Sequence, residues 1–444
     1  MIMRIYNSLT KQKEEFVPID KDHVRLYFCG PTVYNQLHIG NYRAALVADL
    51  LSKAVKGIFP KVSYVSNITD IDDKIIKAAA DQGCSITDVT QKYYTKFMDD
   101  AALLGIAKPD IQPFATDYVD EMIVYIQQLI TNGTAYEIDG NVLFDVSKFT
   151  NYGCLSDRCI EDQDSGSRIK VEEYKKNPND FILWKPSSDN EPGWDSPWGT
   201  GRPGWHLECS VMSESSLGVP FDIHGGGNDL KFPHHDNEIA QTCGFHNNSD
   251  PTCFAKYWVH NGFLNLADEK MSKSLGNVVY IDDLIKDYKG NEIRLALLST
   301  HYRQPIPWST NVLNQAVSIA KKIKRFTSSY PNMNEFFADT KIGEAILDDL
   351  NTPKALAVMQ EIINAPENFE LDKEISTYKY IFEGSSQDLS ISKADEDKIN
   401  HLIELRLEAK NNGDYETADN IRDELSKMNV TIKDIGRKTE WEIL

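Results

Sequence analysis

Three features of this 444-residue chain predict an α/β fold built on a parallel sheet. Short apolar strands alternate with helices near the N-terminus, a turn-rich stretch interrupts the alternation, and the pattern from Val312 onward is helical. Val24–Phe28 is a largely apolar run ending at Cys29-Gly30-Pro31-Thr32, and a helix is expected from about Gly40 to Lys56. Val62–Ile68 reads as a second strand, ending in Thr69-Asp70-Ile71-Asp72-Asp73. Strand, helix, strand in this order predicts parallel pairing with right-handed crossovers. Ligands of such sheets sit at the carboxyl ends of the strands. Cys29, Thr69 and His224 fall at predicted strand ends and therefore group together.

Thr87–Leu104 and Thr116–Asn132 read as helices. Ala135–Ile138 and Asn141–Asp145 flank Asp139-Gly140, a hairpin signal because both turn positions tolerate positive φ. Ser156–Arg168 is acidic and Ser-rich and reads as a loop. Ser187–Gly204, rich in Pro, Gly and Trp, reads as an irregular connection. Residues from about 115 to 200 are read as an insertion, and Val219–His224 resumes the sheet. Near the C-terminus, Lys398–Lys410 and Tyr415–Met428 read as helices. Asn411-Asn412-Gly413 ends the first and Asp414 caps the second.

Length suggests two or three domains with a substantial core. The net charge of −20 argues against a nonspecific nucleic-acid coat, although a local basic patch can still dominate docking. Met1-Ile2-Met3-Arg4-Ile5-Tyr6 has no long apolar run behind it, so no signal peptide is expected. No apolar stretch approaches about 18 residues, so no membrane span is expected. Seven scattered cysteines do not suggest a disulfide framework and fit a reducing cytoplasm.

Two motifs carry phosphate chemistry. Lys270-Met271-Ser272-Lys273-Ser274 offers two lysines and two hydroxyls to wrap a triphosphate and stabilise departing pyrophosphate. His38-Ile39-Gly40-Asn41 lies where strand gives way to helix, so free helix N–H groups face an anion. Together they point to adenylate formation. A third group suggests a metal. Cys29, Cys209, a histidine of His234-His235 and Glu238 supply two thiolates, an imidazole and a carboxylate, a plausible zinc shell. Pro233 reads as a first-turn helix residue. Four-residue spacing then aligns His234 with Glu238, and three-residue spacing aligns His235 with it. Spacing alone does not choose between the histidines.

These motifs resemble a known family. Phe28-Cys29-Gly30-Pro31-Thr32-Val33-Tyr34, His38-Ile39-Gly40-Asn41 and Asn67-Ile68-Thr69-Asp70-Ile71-Asp72-Asp73-Lys74 match in order. Gly204-Trp205-His206-Leu207-Glu208-Cys209-Ser210, Asp222-Ile223-His224-Gly225-Gly226-Gly227-Asn228-Asp229-Leu230, His234-His235-Asp236-Asn237-Glu238 and the lysine loop complete the set. The chain resembles the bacterial-type cysteinyl-tRNA synthetases, of class I. The resemblance implies a Rossmann-type catalytic domain in two halves, 1–114 and 201–245, around an acceptor-end insertion at 115–200. It further implies a stem-contact region with the lysine loop at 246–311, an α-helical bundle at 312–394 and a small anticodon-binding domain at 395–444.

The implied activity is ligation of cysteine to tRNA(Cys). Cysteine and ATP, with Mg2+, give cysteinyl-adenylate and pyrophosphate, and the terminal ribose hydroxyl of the tRNA then attacks. By resemblance the zinc ligands, for one ion per chain, are Cys29, Cys209, His234 and Glu238. Lys273, assisted by Lys270, stabilises the α-phosphate and the leaving group. His38 contacts the triphosphate, and Asn41 bonds the phosphates or braces His38. Gly225-Gly226-Gly227 lets backbone approach adenine, Asp229 holds the ribose hydroxyls and His224 is a further ATP-pocket candidate. Cys29, Gly30, Thr69 and Trp205 face the substrate cysteine. Zinc–thiolate bonding would reject serine beyond the roughly 10–200-fold reach of a hydrophobic pocket. Arg422, Asp434 and Trp441 are tRNA candidates. Lys438 stands where the family often has glycine. A cytoplasmic monomer is expected. Cys84, Cys154, Cys159, Cys243 and Cys253 are expected to be idle thiols. Two rivals remain in view: an ATP-dependent ligase joining cysteine to an amino sugar in the mycothiol pathway, and a catalytically silent tRNA-binding paralogue.

Overall fold

The computed structural model describes residues 2–158, 175–188, 191–266, 269–270, 278–330, 333–383, 393–411, 414–427, 430–435 and 438–443. The chain forms two units, Met1–Gly384 and Ser385–Leu444.

The first unit begins with an antiparallel hairpin, β1 (Arg4–Asn7) and β2 (Gln12–Glu15). β3 (Val24–Phe28) leads to α1 (Ile39–Lys56), and β4 (Val62–Ser66) pairs parallel with β3. Two helices missing or offset in the sequence reading follow, α2 (Asp73–Gln82) and α3 (Ile86–Leu103). Asp72 caps α2 by accepting the Lys74 N–H, and Ser85 caps α3 by accepting that of Asp88.

The insertion opens with a 3₁₀ turn at Ala115–Tyr118 that runs into α4 (Val119–Thr131). Its strands are β5 (Ala135–Ile138), β6 (Asn141–Phe144), β7 (Phe181–Pro186) and β8 (Gly201–Pro203), joined in antiparallel order. The hairpin signal holds: Asp139 and Gly140 both have positive φ. Within the stretch read as irregular, Gly201–Pro203 is a strand, so the insertion's sheet continues past residue 200. A Cβ on Gly201 would lie 2.4 Å from the Trp184 indole nitrogen, which explains a small residue in that strand.

α5 (Trp205–Leu217) returns to the parallel sheet at β9 (Phe221–Gly227), which pairs with β3. α6 (Asp236–Phe245) and β10 (Ala255–Asn261) follow. The sheet order is β10-β9-β3-β4, all parallel, so every carboxyl end lies on one edge. Its fourth strand, β10, falls in the 246–311 stretch that the resemblance assigns to the stem-contact region. Alternation along the strands serves two cores, as period-2 geometry requires. Leu26 and Phe28 enter one with α1, and Tyr27 enters the other with α5 and the insertion.

β11 (Leu264–Leu266) and β12 (Glu269–Lys270) precede α7 (Ile281–Leu284) and α8 (Gly290–Leu298). β13 (Ile306–Trp308) pairs parallel with β11. The helices α9 (Thr310–Thr327), α10 (Lys341–Leu347), α11 (Thr352–Asn364) and α12 (Leu371–Tyr378) complete the unit. Arg294 of α8 is fully buried, bonded to Asp49 and to the carbonyls of Leu104, Gly105, Ile381 and Phe382.

The second unit contains α13 (Lys393–Asn411), α14 (Tyr415–Lys427) and a hairpin of β14 (Val430–Ile435) and β15 (Lys438–Ile443). Asp414 accepts bonds from the Thr417 N–H and hydroxyl, the capping expected there. Among the described residues, no helix is long and apolar enough to cross a membrane.

Candidate active site and metal centre

The carboxyl edge of the parallel sheet opens into a cleft of about 430 Å³ between β3, β9, β10 and the N-terminus of α1. His38 and Asn41 line it, and they form a reciprocal cap at the head of α1. The His38 Nδ1 accepts the Gly40 N–H at 3.1 Å, and the Asn41 Oδ1 accepts the His38 N–H at 3.0 Å. Asn41 thus holds the backbone of His38 at the helix head.

Gly30 lines the same cleft and its N–H donates to the Asn67 Oδ1 at 2.8 Å. A Cβ there would sit 1.6 Å from the Asn67 carbonyl oxygen, so only glycine fits. Gly227 and Asp229 line the opposite wall, with a Gly227 Cβ only 2.5 Å from the Asp229 carboxylate. The glycine run is not a turn after the strand: Gly225-Gly226-Gly227 are its last three residues. The missing side chains make room, because a Cβ on Gly225 would meet the Phe28 ring at 2.3 Å.

This extension moves His224. It lies inside β9, opposite Tyr27 and Trp258, fully buried, and is not among the residues lining the cleft. Its Nε2 is 2.8 Å from the Glu238 Oε2. The geometry therefore joins His224 to the metal-ligand candidates rather than to the nucleotide candidates. Thr69 is likewise buried and donates to the Glu208 Oε2 at 2.7 Å; it does not line the cleft.

Behind Cys29, which lines the cleft, four donors converge, three of them buried. The Cys29 Sγ lies 3.5 Å from the Cys209 Sγ, 3.6 Å from the His234 Nε2 and 3.5 Å from the Glu238 Oε1. The His234 Nε2 and the Glu238 Oε1 are 3.1 Å apart. The backbone is extended at Phe232 and helical again from Pro233 into α6, so Pro233 stands in the first turn as read from sequence, with His234 and Glu238 four residues apart along it. A second compact set, Cys29, His224, His235 and Glu238, shares two of the same residues. There the His235 Nε2 stands 3.9 Å from the Glu238 Oε1.

Electrostatics favour the charged form at three of these groups and the neutral thiol at Cys29. Burial opposes ionisation of Cys209, but hydrogen bonds from Cys29 and His234 outweigh it and hold the thiol at about 6. Burial and the neighbouring negative charges push Cys29 well up. Burial works against the His234 cation too, yet Glu238 and Cys209 raise it to about 10. Glu238 falls to about 2 despite burial, because His224 and His234 face it.

Trp205, 38% exposed, lines the cleft and packs on His234 with ring centroids 4.3 Å apart. His206, given no role from sequence, has its Nδ1 2.8 Å from the Nδ1 of His234. His235 continues to His260 at 2.8 Å and then to the Ser8 hydroxyl at 2.9 Å. Neither contact has a sequence signal beyond the motif containing His206. Lys270 is the last residue of β12, and Lys273 lies outside the described residues.

In the C-terminal unit, Arg422 is an exposed α14 residue 3.3 Å from Asp419. Asp434 pairs with Thr439 and Trp441 with Ile432 across the terminal hairpin, and Lys438 opens β15 opposite Ile435. Among the other thiols, Cys243 and Cys253 lie 3.2 Å apart and Cys84 is exposed, whereas Cys159 is outside the described residues.

Comparison with known proteins matches this architecture. The family model for the class I (C) tRNA synthetase catalytic domain covers residues 15–318, and that for the cysteinyl-tRNA ligase anticodon-binding domain covers 396–441. A cysteine–tRNA ligase of Wolbachia sp. subsp. Drosophila simulans (strain wRi) is 45% identical over 452 residues, covering 98% of each chain. That of Parvibaculum lavamentivorans is 43% identical, covering 99% of this chain and 98% of its own. Among solved structures, Mycobacterium tuberculosis methionyl-tRNA synthetase in complex with methionyl-adenylate superposes with a TM-score of 0.60 at 14% identity, covering 81% and 88% of the two chains. An Agrobacterium radiobacter K84 LeuRS in a ternary complex does so at 0.55 and 12% identity, covering 83% of each chain. Those two likenesses establish the fold, and the full-length sequence matches establish more: the chain belongs to the cysteine–tRNA ligase family of class I aminoacyl-tRNA synthetases.

Proposed function

We propose that this chain activates L-cysteine with ATP to cysteinyl-adenylate and pyrophosphate, then transfers cysteine to the 3′ end of tRNA(Cys). The observation that carries the reading is the four-donor knot of Cys29, Cys209, His234 and Glu238, which meets the cleft capped by the α1 N-terminus through Cys29. A tetrahedral zinc with ligands at about 2.0–2.3 Å sets its donors roughly 3.3–3.8 Å apart. The spacings from Cys29, 3.5–3.6 Å, fit it. Two thiols and a depressed Cys209 favour this set over the one containing His224, whose 2.8 Å bond to Glu238 suits a hydrogen-bonded partner that orients the carboxylate.

When bound there, zinc offers a position for the thiolate of cysteine, which the serine hydroxyl cannot match at neutral pH. The rest of the chemistry falls to the chain. His38, held by Asn41, and the α1 N–H groups face the triphosphate, which enters with Mg2+. Gly227 admits adenine, Asp229 holds the ribose, and Lys270 and Lys273 stabilise charge on the α-phosphate and departing pyrophosphate. Cys29, Gly30 and Trp205 bound the cysteine, with Thr69 supporting through Glu208. Arg422, Asp434 and Trp441 belong to the tRNA end. Neither step requires a covalent enzyme intermediate; positioning and electrostatics supply the rate. The protein is read as a cytoplasmic monomer.

The test is cysteine-dependent ATP–pyrophosphate exchange with serine as the control, followed by charging of tRNA(Cys). Exchange and charging are expected with cysteine only. Exchange without charging would favour the amino-sugar ligase, and no exchange in zinc-loaded protein would leave the silent paralogue. In Cys209→Ser, zinc and cysteine binding should weaken together; unchanged cysteine activation without zinc would remove the metal from the account.

A further inference from the structure

Arg43 is buried, 1% exposed, one turn into α1 from the head of the cleft. Its guanidinium meets no carboxylate among the described contacts. Instead Nη1 donates to the carbonyls of Gly262 (2.8 Å) and Phe263 (2.5 Å). Nη2 donates to those of Gln304 (2.6 Å), Tyr302 (3.3 Å) and His301 (3.4 Å). The five acceptors come from two backbone segments. One, Gly262–Leu264, leaves β10 and forms a wall of the cleft. The other, His301–Gln304, leads into β13.

The two segments are themselves in close contact. The Gly262 N–H donates to the Tyr302 carbonyl at 2.8 Å, and the Ile306 N–H donates to that of Phe263 at 3.0 Å. A Cβ on Gly262 would lie 2.7 Å from the Arg303 carbonyl. Burying a guanidinium is costly, and desolvation lowers Arg43 to about 10. A planar fork with five donors can gather two strands' carbonyls at once, which a lysine ammonium cannot do with the same geometry.

We propose that Arg43 is a positioning residue for the nucleotide: it ties the Gly262–Leu264 wall to the helix whose N-terminus faces the phosphates, and so sets the width of the cleft. This rests on reading the cleft as the ATP site. Arg294 supplies a comparison. It too is a buried arginine gripping carbonyls, though it also pairs with Asp49, and none of its partners Leu104, Gly105, Ile381, Phe382 and Asp49 lines the cleft.

The experiment compares zinc-loaded wild type, Arg43→Gln, Arg43→Lys and Arg294→Gln, each as full chain. Thermal stability, the Kd for cysteine without ATP, and KM and kcat in ATP–pyrophosphate exchange are measured. Arg43→Gln should raise the ATP KM about tenfold with the cysteine Kd unchanged, since loss of alignment acts on the nucleotide wall alone. Arg43→Lys should fall between it and wild type. Arg294→Gln should lower stability and leave the ATP KM where it was. If Arg43→Gln does not fold, Arg43→Lys and Gly262→Ala, which displaces the same wall from the other side, carry the same expectation. An ATP KM within twofold of wild type in the folded Arg43 or Gly262 variants, or an equal rise in Arg294→Gln, overturns the assignment. Absence of cysteine-dependent exchange in wild type would instead defeat the proposed function.

Discussion

Gly30→Ala is the most demanding substitution the cleft offers. The added Cβ would lie 1.6 Å from the Asn67 carbonyl oxygen and 2.7 Å from its carbon. Real Cβ atoms do not approach nearer than 3.0 Å, so the two backbones must separate by at least 1.4 Å. No rotamer relieves this, because both partners are main chain. Gly30 follows Cys29, whose Sγ sits within 3.6 Å of three other donors. Overpacking of this kind costs about 1–3 kcal/mol, and backbone against backbone falls at the upper end. A shift of roughly 1 Å at reacting groups costs about a hundredfold in rate. Gly30→Ala should therefore lose about 2–3 kcal/mol in urea unfolding, bind zinc substoichiometrically, and exchange pyrophosphate about a hundred times more slowly at saturating cysteine. Wild-type zinc content and exchange rate in the folded variant would refute the reasoning.

Two further predictions concern buried charge. Lys53 is 9% exposed, and desolvation lowers it from 10.5 to about 8 despite Asp49 at 3.5 Å. Because its folded value is the lower one, the unfolded chain binds more protons between about pH 8 and 10.5, and stability rises with pH across that window. Lys53→Met should gain up to about 3 kcal/mol at pH 7 and flatten that rise, measured by urea unfolding at pH 7 and 10; a steeper rise would contradict it. Asp349, 1% exposed, accepts from Tyr302 (2.8 Å), Arg303 (2.9 Å) and the Tyr6 N–H (2.9 Å). Asp349→Ala strands these donors and should cost about 3–5 kcal/mol; a loss below about 1 kcal/mol would show that water replaces the carboxylate.

The parts of the fold legible in the sequence are those with local causes. Val24–Phe28, the helix following His38 and the Asp139-Gly140 turn each follow from local composition or backbone preference. The sequence predicts a strand ending at His224 because a glycine run ordinarily signals a turn. Here the glycines extend the strand, since the Phe28 ring needs the space a Cβ would take. His224 therefore lies inside the strand rather than at its end, enclosed beside Glu238. β10 was missed because Ala255–Asn261 is buried along most of its length and shows no alternation. Cys29, Cys209, His234 and Glu238 come from three distant segments, so spacing could nominate them without deciding between His234 and His235. The contacts of His206 and the chain from His235 through His260 to Ser8 depend on tertiary proximity, which has no local signature.

The most direct test of the central claim replaces zinc with cobalt(II) and follows the sulfur-to-metal charge-transfer absorption as amino acid is added. The account predicts that cysteine intensifies this band through an additional thiolate, that serine does not, and that Cys209→Ser weakens the starting spectrum. A spectrum unchanged by cysteine, with cysteine binding verified by equilibrium dialysis in the same sample, would contradict the claim that the metal reads the substrate thiol.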